Sequence, residues 1–420
     1  MKNLKCIAVA LFIFCFPNYL LTNLFAFSFA EPNNINVINT AVPFLNLATD
    51  ARGSSMGYAG VSSTPDLYSV HWNPSKYAFL NDKTFTDKDE KNNHHIESKS
   101  SFWGIAASTT PWKNKNKNIF FLNHFIGLWR PDNKHAIALS FRHFNHNNSQ
   151  IFDEARNVMG VNNPKEFSID IAYARKLGKF ISGGVALRYI HSNMGFNFIN
   201  SSVAQAFAAD ISVYYEKRLN WNITPATFSA GVNISNIGDI IVYGDFSSSF
   251  MPDEKQRKNF IPINLRLGPS IVFEIYDFHN LSFTVDFNKL LVPSPPVYAR
   301  DNNGMIIIDE NNNYVIEKGR NPFRPMASRI FGSFSDAPDG FIEELNEISI
   351  AAGTEFVYNK LYALRAGYFY EHEAKGNRKY LTFGFGINYR IVKLDICYLS
   401  RMHKLINPDN ALKLSVGIIF

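Results

Sequence analysis

Runs of about ten residues in which apolar and polar side chains alternate recur along most of the chain, and they constrain its fold more than any other feature. "KHAIALSFRH" sets Ile137, Leu139 and Phe141 against Ala138, Ser140 and Arg142, and "FSIDIAYA" sets Phe167, Ile169, Ile171 and Tyr173 against Ser168, Asp170, Ala172 and Ala174. The same period of two governs "GGVALRYI", "FAADISVYYE", "LSFTVDFN", "LTFGFGINY", "KLDICYLS" and the closing "ALKLSVGIIF". Alternation at that period is a strand with one apolar face. In a water-soluble sandwich the second face would look to solvent and be rich in Lys, Glu and Thr. Here it carries Gly, Ala, Ser and single charges, while the first carries large aromatics, in keeping with 38 Phe and 19 Tyr among 420 residues. Apolar outside and small or polar inside is what a bilayer-spanning barrel requires, because lipid offers no hydrogen bonds to an open strand edge. The expected fold class is therefore all-β, a transmembrane outer-membrane antiparallel β-barrel of about fourteen strands.

The strands read as 101–110, 119–130, 135–144, 166–176, 180–191, 205–217, 225–236, 262–275, 280–290, 347–358, 361–371, 379–389, 391–400 and 411–420. Tight connections at "RPDN", "LGK", "YDFH", "YNK" and Arg390 alternate with long ones at 145–165, 192–204, 237–261 and 291–346. Short turns at one rim and long loops at the other are the layout of outer-membrane barrels, with the long loops extracellular. Phe420, closing an alternating apolar strand, looks like the signal that barrel-assembly machinery reads. On this register Arg142, Arg188, Arg266, Arg365 and Lys393 share the lumen with Asp170, Asp210, Asp286 and Asp395. The mixed signs suggest ion pairs that compensate burial, Arg142, Asp170, Arg188 and Asp210 foremost, rather than a conducting path.

Lys2 and Lys5, the apolar stretch from Cys6 to Phe16 and Ser28-Phe29-Ala30 before Glu31 read as a signal peptide over 1–30. The alternative, a membrane anchor, meets a break at Pro17 and Asn18. Cleavage would leave Cys397 as the sole thiol, so neither an intramolecular disulfide nor a Cys-based metal site is expected. Beyond residue 100 no apolar run is long enough for a transmembrane helix. Lys+Arg 42 against Asp+Glu 36 gives no argument for a nucleic-acid partner. Gly53-Ser54-Ser55-Met56-Gly57 matches G-x-S-x-G, but that elbow works only between a strand and a helix of an α/β sheet. His94-His95 sits in a polar run and offers no shared ligand face. No catalytic set, no metal site and no cofactor are expected.

Residues 41–80 differ from the strands in clustering Gly, Ala and Ser around a "HWNP" turn. "DARGSSMGYAGVSS" followed by "SVHWNPSKYAF" resembles the amino-terminal signature of the FadL-like outer-membrane family, whose hatch folds into the lumen below a fourteen-stranded barrel. The longer block "TAVPFLNLATDARGSSMGYAGVSSTPDLYSVHWNPSKYAF", with "EFSIDIAYARKL" and "VALRYIHSN", is similar to the PorV/PorQ family of type IX secretion. The resemblance implies a hatch signature at Asp50, Arg52, Met56, Gly57, Gly60, Trp72, Asn73 and Pro74, a hatch and polar linker over 31–100, and a barrel over 101–420. Ser54-Ser55 and Tyr58 stand where Gly or Ala is usual, and "NPSK" favours the secretion branch over fatty-acid transporters.

The resemblance also implies a non-enzymatic shuttle in a Bacteroidetes-like outer membrane. It would take cargo by a carboxy-terminal signal domain from the translocon barrel and pass it to a sortase-like attachment complex, with the lipid bilayer as its medium. The competing expectation is FadL-like uptake of hydrophobic small molecules, which needs an apolar lumen path. Loops far longer than closure requires are usually functional or disordered. Phe246, Phe250 and Met251 in one, and "MIIIDENNNYVIEK" in the other, read as docking surfaces, the alternative being that both loops fold over the barrel mouth; the latter, with Ile307 and Tyr314, reads as a hairpin on a proline-stiffened stalk.

Overall fold

The structure, a computed structural model, describes residues 36–80, 101–113, 119–146, 148–152, 157–194, 203–220, 224–243, 258–276, 278–311, 313–402 and 410–420. Fourteen strands close into one antiparallel barrel: β1 (Phe102–Lys113), β2 (Ile119–Arg130), β3 (His135–Asn145), β4 (Lys165–Lys176), β5 (Ile181–Asn193), β6 (Val203–Leu219), β7 (Ala226–Ile237), β8 (Asn264–Ile275), β9 (His279–Leu290), β10 (Ser349–Tyr358), β11 (Tyr362–Tyr370), β12 (Lys379–Tyr389), β13 (Val392–Arg401) and β14 (Asn410–Ile419). Each pairs with its sequence neighbours, and β14 returns to β1 through Gly104 opposite Ile419 and Ser108 opposite Ser415. Closure leaves no strand edge open, the condition that a lipid surround imposes. Among the described residues no helix is long and apolar enough to cross a membrane.

The alternation decides which face is which. Leu139, Ile171, Leu187, Ile211, Phe383 and Leu414 lie exposed on the outer surface, whereas Ser140, Asp170, Arg188, Ser212 and Lys413, one position away, are buried. Near the rim of short turns Trp103 and Trp129 stack at 5.4 Å on neighbouring strands, as an interfacial aromatic belt would. A bulge between β6 and β7 puts Asn236 at φ 60 and lets its backbone N–H donate to Asp210 Oδ1 at 2.7 Å.

The long connections contain structure that the sequence reading treats as loop. Short strand pairs form at Ser149–Phe152 with Val158–Asn162, at Ile240–Val242 with Lys258–Phe260, and at Val297–Tyr298 with Ile316–Lys318. Residues 36–80 run inside the barrel from the long-loop mouth, where Asn36 N donates to Ala374 O and Ala41 N to Phe260 O, to the short-turn rim, where Arg130 donates to Ala78 O and Leu80 O. The hatch expected in the lumen is thus found there, and it threads the lumen from end to end. It is built from helices of one or two turns: a 3-10 turn at Pro43–Asn46, helix α1 (Ala51–Ser55), helix α2 (Ser69–Trp72) and a 3-10 helix at Pro74–Phe79. Two further helices, α3 (Met326–Gly332) and α4 (Phe341–Asn346), lie in the longest loop.

Candidate functional site

The threaded segment is rich in small residues, Ser and Ala foremost, and a chain inside a barrel has to place its unpaired backbone groups against wall side chains. Asp50 caps α1 by accepting from Gly53 N at 2.6 Å and also accepts from Trp72 Nε1 at 2.7 Å, so one carboxylate joins the two helices. The Trp72 indole lies between Gly53 and Gly60, where an added Cβ would stand 2.5 Å and 2.3 Å from it, and beneath the Arg266 guanidinium at 4.9 Å. Asn73 donates to Val61 O and to Val213 O of the wall, both at 3.0 Å, and accepts from Ser75 N; Pro74 opens the following 3-10 turn, where its missing N–H costs nothing.

Fixing to the wall takes three forms. Arg52 makes a bidentate pair with Glu355 at 3.0 and 2.8 Å and a third contact with Asp66 at 2.8 Å; Glu355 in turn holds Arg365, and Arg365 holds Asp395. Asp286 Oδ2 accepts from Gly60 N and Val61 N at 2.7 and 2.8 Å. Wall glycines supply close approach: a Cβ at Gly367 would stand 2.1 Å from Gly57 N, and one at Gly353 would stand 2.4 Å from Met56 O. Gly57 itself sits at φ +67 and donates to Thr382 Oγ1 at 3.0 Å. The eight signature positions thus gather in one seat, whose wall contacts run along β6 to β12. Tyr58, the bulky departure at φ 69, finds room edge-on against Phe369 and Tyr380.

Toward the mouth, Arg142 lies 2.9 Å from Asp170, Arg188 lies 2.5 Å from Asp170 and 3.0 Å from Asp210, and Arg142 also donates to Leu45 O. This chain of alternating charge spans β3 to β6 as one network. The G-x-S-x-G serine is spoken for: Ser55 Oγ donates to Arg52 O at 2.7 Å within α1. Among the described residues no cluster of three or more metal-ligating side chains forms.

In the hairpin of the longest loop Asp309 N donates to Asn313 O at 2.8 Å and Ile308 stands opposite Tyr314. Ile307 is exposed, and Tyr314 packs edge-on to Tyr298 at 5.4 Å. Its proline-bearing base is not a free stalk, because Val292, Pro293 and Ser294 are buried and Ser294 Oγ donates to Glu347 at 2.5 Å. Phe246, Phe250, Met251 and His94-His95 lie outside the described residues. Sequence reasoning missed Glu355, Lys413 and Lys76. Lys413 Nζ donates to Ala48 O at 2.6 Å, and Lys76 Nζ to Gly60 O at 2.8 Å. The signal for Glu355 was present in "SIAAGTEFVY", where it shares a face with Ala351 and Gly353.

The chain is similar in architecture to the Pseudomonas putida toluene transporter TodX, at 8% identity over 92% of this chain and 98% of that one with a TM-score of 0.47. It is similar also to a Pseudomonas aeruginosa FadL homologue, at 9% identity over 92% and 99% with a TM-score of 0.42. Among curated proteins none matches. The family model of the type IX secretion system protein PorV matches residues 30–297 of the 420, well over half, and the chain belongs to that family.

Proposed function

We propose that this barrel is a non-enzymatic carrier of type IX secretion, which binds the carboxy-terminal signal domain of cargo leaving the translocon barrel and hands it to a sortase-like attachment complex at the cell surface. The observation that carries this reading is the lumen itself. A segment fixed by the Arg52–Glu355 pair, the Asp286 acceptor and glycine contacts occupies it from mouth to rim, so the surface left for partners is the set of long loops. Uptake of hydrophobic small molecules is disfavoured by the same layer. A greasy solute would have to pass the Arg142–Asp170–Arg188–Asp210 network, and exposing an apolar solute to desolvated charge is unfavourable.

Affinity purification of the tagged chain from native outer membranes in mild detergent, with mass spectrometry of what co-purifies, tests the proposal. Secreted proteins sharing a carboxy-terminal domain, together with a very large barrel, are the expected result. Recovery of the chain alone with lipophilic molecules retained in it would overturn the carrier reading in favour of transport.

A further inference from the structure

Helix α4 wears its polarity inside out. Glu343 and Glu344 are buried against the barrel mouth, where Glu343 pairs with Lys375 at 2.6 Å and Glu344 with Lys289 at 2.9 Å. Glu347, just past the helix, reaches both lysines, at 2.5 and 3.0 Å. Phe341, Ile342 and Leu345 lie exposed at 74, 66 and 50%, joined by Phe334 at 49%. A surface helix in water shows the reverse arrangement. So large a set of aromatic and aliphatic side chains in one place marks a surface built to be covered.

What covers it follows from what it adjoins. Phe334, Phe341 and Leu345 share a groove of about 190 Å³ with Leu265, Leu267 and Phe287 on the outer surface of β8 and β9. Those three lie on the lipid-facing parity of the wall, at the ends of β8 and β9 that meet the long loops. The apolar face of α4 is thus continuous with the membrane band of the barrel at its extracellular edge, while every carboxylate of the helix is turned inward and neutralised. We propose that α4, with Phe334, is an interfacial anchor sunk into the acyl chains of the outer leaflet, pinning the longest loop to the membrane beside the barrel.

The test uses the full chain with Cys6, Cys15 and Cys397 replaced by Ser. Phe341→Cys and Leu345→Cys, and Ile307→Cys in the hairpin as a reference, are labelled singly with a fluorophore, and folding of each is checked by heat-modifiable migration. The protein is reconstituted in phosphatidylcholine vesicles with plain or brominated acyl chains. Labels at 341 and 345 are expected to lose most of their emission to brominated lipid and to resist aqueous iodide, while the label at 307 does the opposite. Iodide quenching at 341 and 345 equal to that at 307 would overturn the anchor. If native outer membranes then shielded those positions where vesicles did not, the cover would be a protein partner, which equally overturns it. The two positions report independently, so loss of one variant to misfolding leaves the other to decide.

Discussion

Gly367 and Gly127 are both wall glycines, and their surroundings give them opposite sensitivities. At Gly127, on the outer face of β2, an added Cβ meets nothing within 4 Å, so Gly127→Ala should leave thermal unfolding in detergent nearly unchanged. At Gly367 the Cβ would meet the backbone of Gly57 at 2.1 Å, and backbone cannot rotate aside as a side chain can. Gly367→Ala should therefore cost about 1–3 kcal/mol, on the scale of overpacking, and lower the temperature at which the heat-modifiable band unfolds. Equal midpoints for the two variants would mean that the threaded segment does not press on the wall at this point. Close approach of this kind is invisible in sequence: both residues are simply small positions in an alternating strand, and parity alone separates lumen from lipid.

At the scale of elements, the hairpin can be removed without touching the wall. Tyr298 pairs with Ile316, so replacing 299–315 by Asn-Gly should close the strand pair with a two-residue turn. The folded band is expected to persist while recovery of cargo in the affinity experiment falls. Loss of the folded band would show that the segment supports the barrel. The base of the same loop has a pH dependence of definite sign. Burial, reinforced by Glu344 and Glu347, raises the Asp336 carboxyl to about 6 against the Ser294 N–H and the Arg324 pair. A raised folded value means that its contribution to loop stability is full below its ordinary value of 3.8 and is lost as pH rises through 6. Limited proteolysis of the loop should thus be slower at about pH 5 than at about pH 8, and Asp336→Asn should narrow the difference. An unchanged ratio in that variant would assign the effect to other groups.

For the whole molecule, the threaded lumen and the family point to an outer-membrane barrel of type IX secretion that is closed to solutes at rest. Planar-bilayer recordings of the reconstituted chain should show little conductance. Arg52→Ala, which strips Glu355 and Asp66 of a buried partner, and Asp286→Ala, which orphans two buried N–H groups at roughly 1–3 kcal/mol each, should both loosen the segment and raise conductance. Steady high conductance in the unmodified chain would contradict the closed lumen and weaken the carrier proposal with it.

Strand number, alternation and the split between short turns and long loops were legible in the sequence because each strand of a membrane barrel carries its own address. The period of two states which side chains meet lipid whatever the neighbouring strands are. The amino-terminal signature was legible as a motif but not as a shape. That Trp72 is clasped by Gly53 and Gly60, that Arg52 finds Glu355 some 303 positions away, and that the segment runs mouth to rim are long-range contacts, and no local pattern encodes them. The short helices of the longest loop were missed for the same reason. Six residues cannot form a stable helix by propensity, and α4 exists because Lys289 and Lys375, from a wall strand and a distant turn, fix its carboxylates in place. Local periodicity in an apolar medium thus determined the barrel, and only the closed fold, by bringing remote charges and glycines together, decided what fills it and what packs at the edge of its mouth.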